Sequence, residues 1–154
     1  MKIVNRSKIP EALFRYLCQD LYDHEGKGDS LSATEILKPI QAIILRRKYD
    51  DQIELDALDQ LWKLLGQGVH EVLKKEEGPE PIERLKVKVL DRWFSGEFDR
   101  IFKNRIVDYK VTSAWTLTYR SRDKEWSDQL SIYRWLYWKV KDVFLFIKLL
   151  KYHW

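Results

Sequence analysis

Residues 96–110 read GEFDRIFKNRIVDYK. The segments on either side of Lys103-Asn104 are rich in strand-forming residues, and that dipeptide suits a turn. We therefore predict a β-hairpin, with one strand over residues 92–101 and the next over 105–111. A second change of pattern lies upstream, where Leu and Val alternate with Lys over residues 85–90 and predict another strand.

The hairpin carries two carboxylates and a lysine. Asp99 lies late in one predicted strand and Asp108 in the next, so the pairing can bring them to neighbouring points of the sheet. Asp108 and Lys110 are two apart and share one face of the strand, whereas Tyr109 faces away and offers its backbone carbonyl. Carboxylate oxygens suit Mg²⁺ or Mn²⁺, and the lysine could orient a water or stabilise charge on a phosphate. This arrangement suits phosphodiester hydrolysis.

A histidine upstream could join this site. His70 lies on a helix that we predict over residues 55–76, four positions after Gly66 and on the same face. Gly66 and Gly68 in mid-helix cost about 1 kcal/mol each relative to Ala, which suggests a close backbone approach to another element. His70 could then reach the carboxylates as a metal ligand.

Two polar residues downstream could also contact the site. Gln129 and Tyr133 are four apart and share one face of the last predicted helix, where they could contact the lysine, the attacking water or a phosphate. Each candidate also has a structural interpretation: a helical histidine is more often structural, and Asp-x-Lys is common in strands. Gln129 and Tyr133 could decorate an exposed face. Glu83 could be a solvated carboxylate at a strand edge or a metal ligand.

The remaining sequence predicts helices around these strands. Pro10 suits the first turn of a helix that runs to about residue 23, and residues 24–29 read as a loop. A capping box at Ser32–Glu35 starts a helix that ends near residue 49, and Pro39 either kinks this helix or lies near its start. Residues 78–81 break the chain. A short helix begins near 112–113, and a long one starts near 123 and continues toward the end. The order predicts an α/β or α+β fold, with a central mixed β-sheet flanked by helices.

Composition excludes several classes of protein. The chain has 154 residues and a net charge of +4, which suits one globular domain and permits a polyanionic partner. A single cysteine, Cys18, excludes an internal disulfide framework. The first ten residues lack an apolar stretch, so we expect no signal peptide and a cytoplasmic location. The apolar block 140–154 is too short and lysine-flanked for a membrane span, and predicts a buried helix end or an interface.

The chain carries four short motifs in order, namely Gly66-x-x-x-His70, Gly96-x-x-Asp99, Asp108-x-Lys110 and Gln129-x-x-x-Tyr133. Together they resemble the successive motifs of the PD-(D/E)XK nuclease superfamily, most closely its RecB-like exonuclease branch with its phage-encoded members. The resemblance covers about residues 31–136. It implies a single nuclease domain over residues 1–154 with a restriction-endonuclease-like core, N-terminal helices and a long C-terminal helix.

The resemblance also implies an activity and a role for each motif residue. The activity is that of a Mg²⁺- or Mn²⁺-dependent deoxyribonuclease, an exonuclease for DNA recombination, repair or processing. The implied roles are metal ligands at Asp99 and Asp108, a ligand for a second metal position at His70, a catalytic lysine at Lys110, and residues lining the site at Gln129 and Tyr133. Glu83 matches the acidic position at the start of the first strand only loosely.

The chain departs from relatives in two respects. Some relatives hold an iron–sulfur cluster on four cysteines, the first just before a proline; here Lys38 precedes Pro39, so no cluster is expected. The chain also ends soon after the last motif helix, so we expect a final strand to be missing or supplied by a partner chain.

Several alternatives stay open at the level of sequence. DNA is the expected partner, with a homo-oligomer or a recombination protein as further possibilities. The residues do not distinguish exonuclease from endonuclease. A non-catalytic nucleic-acid-binding or assembly protein with a nuclease-like fold is the main rival, and a hydrolase of another phosphoester is a third hypothesis.

Overall fold

The computed structural model of the chain describes residues 2–18, 30–76 and 84–153. Within these ranges it contains eight strands and six α-helices, in the order β1 (Lys2–Val4), α1 (Glu11–Cys18), β2 (Ser30–Ser32), α2 (Ala33–Ile36), α3 (Ile40–Lys48), β3 (Glu54–Asp56), α4 (Leu61–Glu76), β4 (Leu85–Val89), β5 (Arg92–Gly96), β6 (Arg100–Phe102), β7 (Arg105–Thr112), α5 (Ala114–Thr118), α6 (Asp123–Lys141) and β8 (Phe146–His153). The predicted α+β class is confirmed. The strands form three small sheets: β1-β3, β2-β5-β4 and β6-β7-β8.

The predicted hairpin is present as β6 and β7. Lys103 and Asn104 both have positive φ values, 48° and 58°, as a two-residue hairpin turn requires. The strands pair antiparallel with Arg100 opposite Val107. The single strand predicted over residues 92–101 is wrong, because the chain leaves one sheet after β5 and joins another at β6. Residues 97–99 form the link.

A second hairpin precedes the first. β4 and β5 pair antiparallel, with Val89 opposite Arg92, which confirms the strand predicted from the Leu, Val and Lys alternation. Leu90 and Asp91 adopt positive φ values of 45° and 61° at its turn. β2 adds to this sheet parallel to β5, a strand that the sequence did not predict.

The C-terminal part ends in a strand. Helix α6 stops at Lys141, where Asp142 adopts a left-handed conformation with φ 54°. β8 then lies parallel to β7 along its length, from Arg105↔Phe146 to Thr112↔His153. The helix predicted to continue toward the end is therefore wrong, as is the buried helix end predicted over residues 140–154. The alternative prediction for this block, an interface, stays a prediction. A strand, β8, follows the last motif helix within this chain, where the sequence led us to expect none.

Helix α6 packs onto the sheets with very close contact at one glycine. The core around it is buried and consists of Ala33, Leu85, Phe98, Ile106, Leu130, Tyr133, Leu136 and Leu145. A Cβ on Gly96 would lie 2.8 Å from Leu136 Cδ1 and 2.9 Å from the Tyr133 ring. Only glycine at the end of β5 therefore lets α6 approach so closely.

The N-terminal half differs from its prediction in detail. The capping box is confirmed: Glu35 N–H donates to Ser32 Oγ at 3.2 Å, and Ser32 N–H donates to Glu35 Oε2 at 3.0 Å. Pro39 lies directly before α3 and separates it from α2, so it marks a helix start rather than a kink within one helix. The helix predicted from residue 55 begins at Leu61, after β3 and a 3₁₀ turn at Ala57–Gln60.

Some predictions fall outside the described residues. They are the end of the first helix, the loop over 24–29, the chain break over 78–81 and the candidate ligand Glu83. Among the residues that are described, none of the helices has both the length and the apolar composition needed to cross a bilayer.

Candidate active site

Asp99 joins three separate elements. It lies between β5 and β6, and its Oδ1 is 2.7 Å from Nδ1 of His70 on α4. Its Oδ2 accepts the backbone N–H of Tyr109 on β7 at 2.5 Å. The hairpin ladder ends at the pair of Arg100 and Val107, so Asp99 and Asp108 are the residues directly beyond it, in line with the prediction that the hairpin brings them close. The carboxylate of Asp99 thus fixes α4 against the hairpin.

Asp108 and Lys110 form a close ion pair on one face of β7. The distance from Lys110 Nζ to Asp108 Oδ2 is 2.5 Å, and the two side chains are 22% and 6% exposed. Asp108 Oδ2 is fully buried, and the Lys110 ammonium group is the charge that lies against it. A buried carboxylate is costly in a protein even when it is paired with a cation, and such groups are frequent at functional sites.

The pKa shifts show that these side chains act on one another. Burial raises the pKa of Asp108, and the negative charge of Asp99 adds to this, while Lys110 opposes it. The hydrogen bond to Asp99 raises the pKa of His70, against the effect of burial. The charges of Asp108 and Lys110 also act on His70. The four side chains from α4 and the hairpin therefore form one electrostatic cluster, as the sequence predicted.

The donor types in this cluster fit a hard divalent cation. Carboxylate oxygens of Asp99 and Asp108 are ligands that Mg²⁺ and Mn²⁺ prefer. A proton on His70 Nδ1 shared with Asp99 leaves the lone pair of Nε2 for a metal. Within the described ranges, no three His, Cys, Asp or Glu side chains already surround one metal-sized point. The fit therefore depends on the donor chemistry of these side chains rather than on a preformed cage.

Gln129 and Tyr133 are paired with each other on α6. Gln129 Nε2 donates to Tyr133 Oη at 2.7 Å, and the residues are 6% and 4% exposed, so the exposed-face alternative is wrong. Tyr133 packs against Phe98, the neighbour of Asp99, with ring centroids 5.9 Å apart. The pair therefore supports the Gly96–Asp99 segment, while its contact with a phosphate or with Lys110 stays a prediction.

Other predicted features of the site are corrected or untested. A Cβ added to Gly66 or Gly68 would meet no atom within 4 Å, so the predicted close backbone approach at these glycines is wrong. The backbone carbonyl of Tyr109 as a ligand stays a prediction; the N–H of that residue is bound by Asp99. Glu83 is outside the described residues.

The structure adds neighbours that the sequence did not single out. Glu125, in the first turn of α6, accepts hydrogen bonds from Arg122 at 2.6 and 2.8 Å, which lower its pKa. The charges of Lys110 and Lys38 also lower the pKa of Glu125, and α6 packs against both β7 and α2. The i,i+3 spacing indicates the pair of Arg122 and Glu125. Nothing in the local sequence indicates its nearness to Lys110.

The interpretation of this site depends on the chain's own residues. No protein-family model, curated protein or solved structure matches the chain. The ordered motifs, and the contacts among His70, Asp99, Asp108 and Lys110, are therefore the basis on which a function can be inferred.

Proposed function

We propose that the chain is a divalent-metal-dependent deoxyribonuclease that hydrolyses DNA phosphodiester bonds, most closely of the RecB-like exonuclease type. One observation carries this proposal. A buried Asp108 paired with Lys110 lies on the hairpin position next to Asp99, which in turn holds His70. Residues 70 to 110 of the sequence thus supply two carboxylates, an imidazole and an ammonium group to one cluster.

The carboxylates would hold the cation. Asp99 and Asp108 are the proposed ligands, with His70 and the backbone carbonyl of Tyr109 as further ligands. Bound Mg²⁺ or Mn²⁺ would supply Lewis-acid activation of the phosphodiester and of the attacking water. The Tyr109 N–H and the His70 imidazole fix the carboxylate of Asp99, which reduces the reorganisation needed to bind an ion.

Lys110 is the proposed electrostatic group for the reaction. Asp108 holds the ammonium group of Lys110. The Lys110 side chain is 22% exposed, so this group can contact a phosphate oxygen. A fixed cation beside the attacked phosphorus stabilises the charge that develops in the transition state. Lys110 can also orient the attacking water by donating a hydrogen bond to it.

DNA is the proposed substrate because of charge and motif order. The net charge of +4 favours a polyanion, and the motif order resembles that of DNA nucleases. In the rival function, DNA binding without cleavage, the buried Asp108 would have no role that explains the cost of removing its charge from water.

A digestion assay tests the proposal. The purified chain is incubated with end-labelled linear duplex and with covalently closed circular DNA, in Mn²⁺, in Mg²⁺ and in EDTA. We expect metal-dependent loss of the linear DNA only, and no cleavage by Asp108→Asn. Asp91→Asn is the matched control, because Asp91 also pairs with a strand lysine but its side chain is 99% exposed. DNA binding without cleavage in either metal would favour the rival function.

A further inference from the structure

Two exposed aromatic side chains follow soon after β7, the strand that carries Lys110. Trp115 on α5 and Tyr119, the residue that directly follows α5, are 70% and 68% exposed. Their rings are stacked, with centroids 5.6 Å apart and planes within 3° of parallel. The two residues are four apart and so lie on one face of the helix.

This pair presents a flat π-surface to solvent. Single exposed aromatic residues are common, but two rings held parallel form a preorganised surface. A planar group can continue the stack on the open side of Trp115 in the offset geometry that aromatic rings prefer. A nucleobase is such a group, and every base has a π-face.

The pair is close to the proposed active site along the chain. Trp115 follows Lys110 by five residues, so their Cα atoms are separated by at most about 18 Å. That distance corresponds to about five stacked nucleotides of one strand. Helix α6, which follows α5, packs against β7, the strand that carries Lys110.

The surroundings of the pair favour a polyanion. Arg120 directly follows Tyr119, is exposed, and has no ion-pair partner among the described residues. Arg122 lies two residues further and is held by Glu125. The aliphatic Leu117 of α5 is half-buried, so the exposed surface is aromatic, hydroxyl and guanidinium rather than apolar. Such a surface, next to a phosphate-cleaving site, suits single-stranded DNA better than an apolar protein partner.

We propose that Trp115 and Tyr119 form a base-stacking platform for single-stranded DNA, which holds the strand whose phosphate enters the site at Lys110. The path of the bound strand toward Lys110 rests on the proposed nuclease function. Binding of the strand to the platform does not require cleavage. Arg120 contributes a phosphate contact beside the stacked bases. The substrate class is therefore a single strand or the frayed end of a duplex.

Binding of a labelled single strand tests the platform. Fluorescence anisotropy measures the affinity of the full chain, in EDTA, for fluorescein-labelled dT20 and for a blunt 20-bp duplex. Stacking energies of about 1–3 kcal/mol per base predict that Trp115→Ala weakens dT20 binding by about 5- to 150-fold. Trp115→Phe should retain most of the affinity, because it keeps a π-face. Trp62→Ala is the matched control, since Trp62 on α4 is 67% exposed but has no stacked ring beside it among the described residues.

The outcomes separate this proposal from the nuclease function. Unchanged dT20 affinity in Trp115→Ala overturns the platform, even if the parent cleaves DNA. The platform is also overturned if Trp115→Ala and Trp62→Ala lose equal affinity for dT20, or if Trp115→Ala loses as much affinity for the blunt duplex as for dT20. If Trp115→Ala loses dT20 binding and the parent cleaves no DNA, the result supports the platform and contradicts the nuclease function. A change of oligomeric state in Trp115→Ala with dT20 binding intact assigns the surface to self-association and overturns the platform.

Discussion

The imidazole of His70 lies 2.7 Å from the carboxylate of Asp99, between Nδ1 and Oδ1, although 29 positions separate the two residues in the sequence. This contact connects α4 to the hairpin that carries Asp108 and Lys110. A carboxylate that fixes an imidazole in this way sets which ring nitrogen is left for a metal. The contact therefore positions His70 in the proposed site and predicts an effect of replacing it.

Replacing His70 should weaken metal binding. We expect His70→Ala to lower the affinity for Mn²⁺ by about 10- to 100-fold, the usual effect of losing a ligand or its orienting partner. Isothermal titration calorimetry with Mn²⁺ measures the affinity, and a Mn²⁺ titration of cleavage gives an independent midpoint. Glu71→Ala controls for a change on the same helix, because Glu71 is exposed. An unchanged affinity in His70→Ala would remove His70 from the metal site.

The ionisation of His70 should make stability depend on pH. The folded-state pKa of His70 is raised by Asp99, so the charged imidazole stabilises the fold. That contribution is complete below the unfolded pKa of about 6.5 and is lost as pH rises through the folded pKa. Urea unfolding in EDTA should therefore show a larger stability difference between parent and His70→Gln at pH 5.5 than at pH 9. A difference that is equal at both pH values contradicts the assignment.

Asp108→Asn should stabilise the metal-free protein while abolishing cleavage. Burial raises the folded-state pKa of Asp108, so its charge destabilises the fold at neutral pH. The effect begins above the unfolded pKa of about 3.9 and disappears below it, where both states are protonated. Each 1 kcal/mol shifts Tm by roughly 2–4 °C in a chain of this size, so we expect a rise of a few degrees at pH 7 in EDTA. Differential scanning calorimetry at pH 7 and pH 3.5 measures it. A lower Tm at pH 7 would mean that the pair with Lys110 outweighs burial.

Gly96 and Gly68 should respond oppositely to alanine. A Cβ at Gly96 meets Leu136 and the Tyr133 ring at 2.8–2.9 Å, so Gly96→Ala should destabilise the protein by about 1–3 kcal/mol. Gly68 lies in α4 with open space around it, and Gly68→Ala should stabilise by about 1 kcal/mol. Urea unfolding of both variants measures the difference. Equal effects of one sign would show that α6 does not pack against β5 as described.

Local periodicity predicted the part of the site that lies within one hairpin. The two-residue period places Asp108 and Lys110 on one face of β7, and the Lys103-Asn104 turn sets which residues of β6 and β7 face each other. The position of Asp99 beside Asp108 follows from that register. These features could be predicted because a few neighbouring residues decide them.

Non-local packing decided what the sequence prediction missed. The chain changes sheets at residues 97–99, which depends on partners from distant parts of the chain. The apolar run of β8 has a length and composition that fit a helix or a strand equally, and only its pairing with β7 decides between them. The apolar positions Leu58, Trp62, Leu65 and Val72 have helical spacing, yet they are 46–67% exposed, because spacing does not say whether another element covers the helix face.

The most direct test of the central claim is the rate at which the parent and Lys110→Ala degrade end-labelled linear DNA in Mn²⁺. We predict metal-dependent cleavage by the parent and a loss of about 10²- to 10³-fold in Lys110→Ala, the usual effect of removing one electrostatic group from a transition state. Lys88→Ala should cleave like the parent, because Lys88 pairs with an aspartate on an exposed strand end. Cleavage by Lys110→Ala at the parental rate, or none by the parent, would contradict the proposed nuclease site.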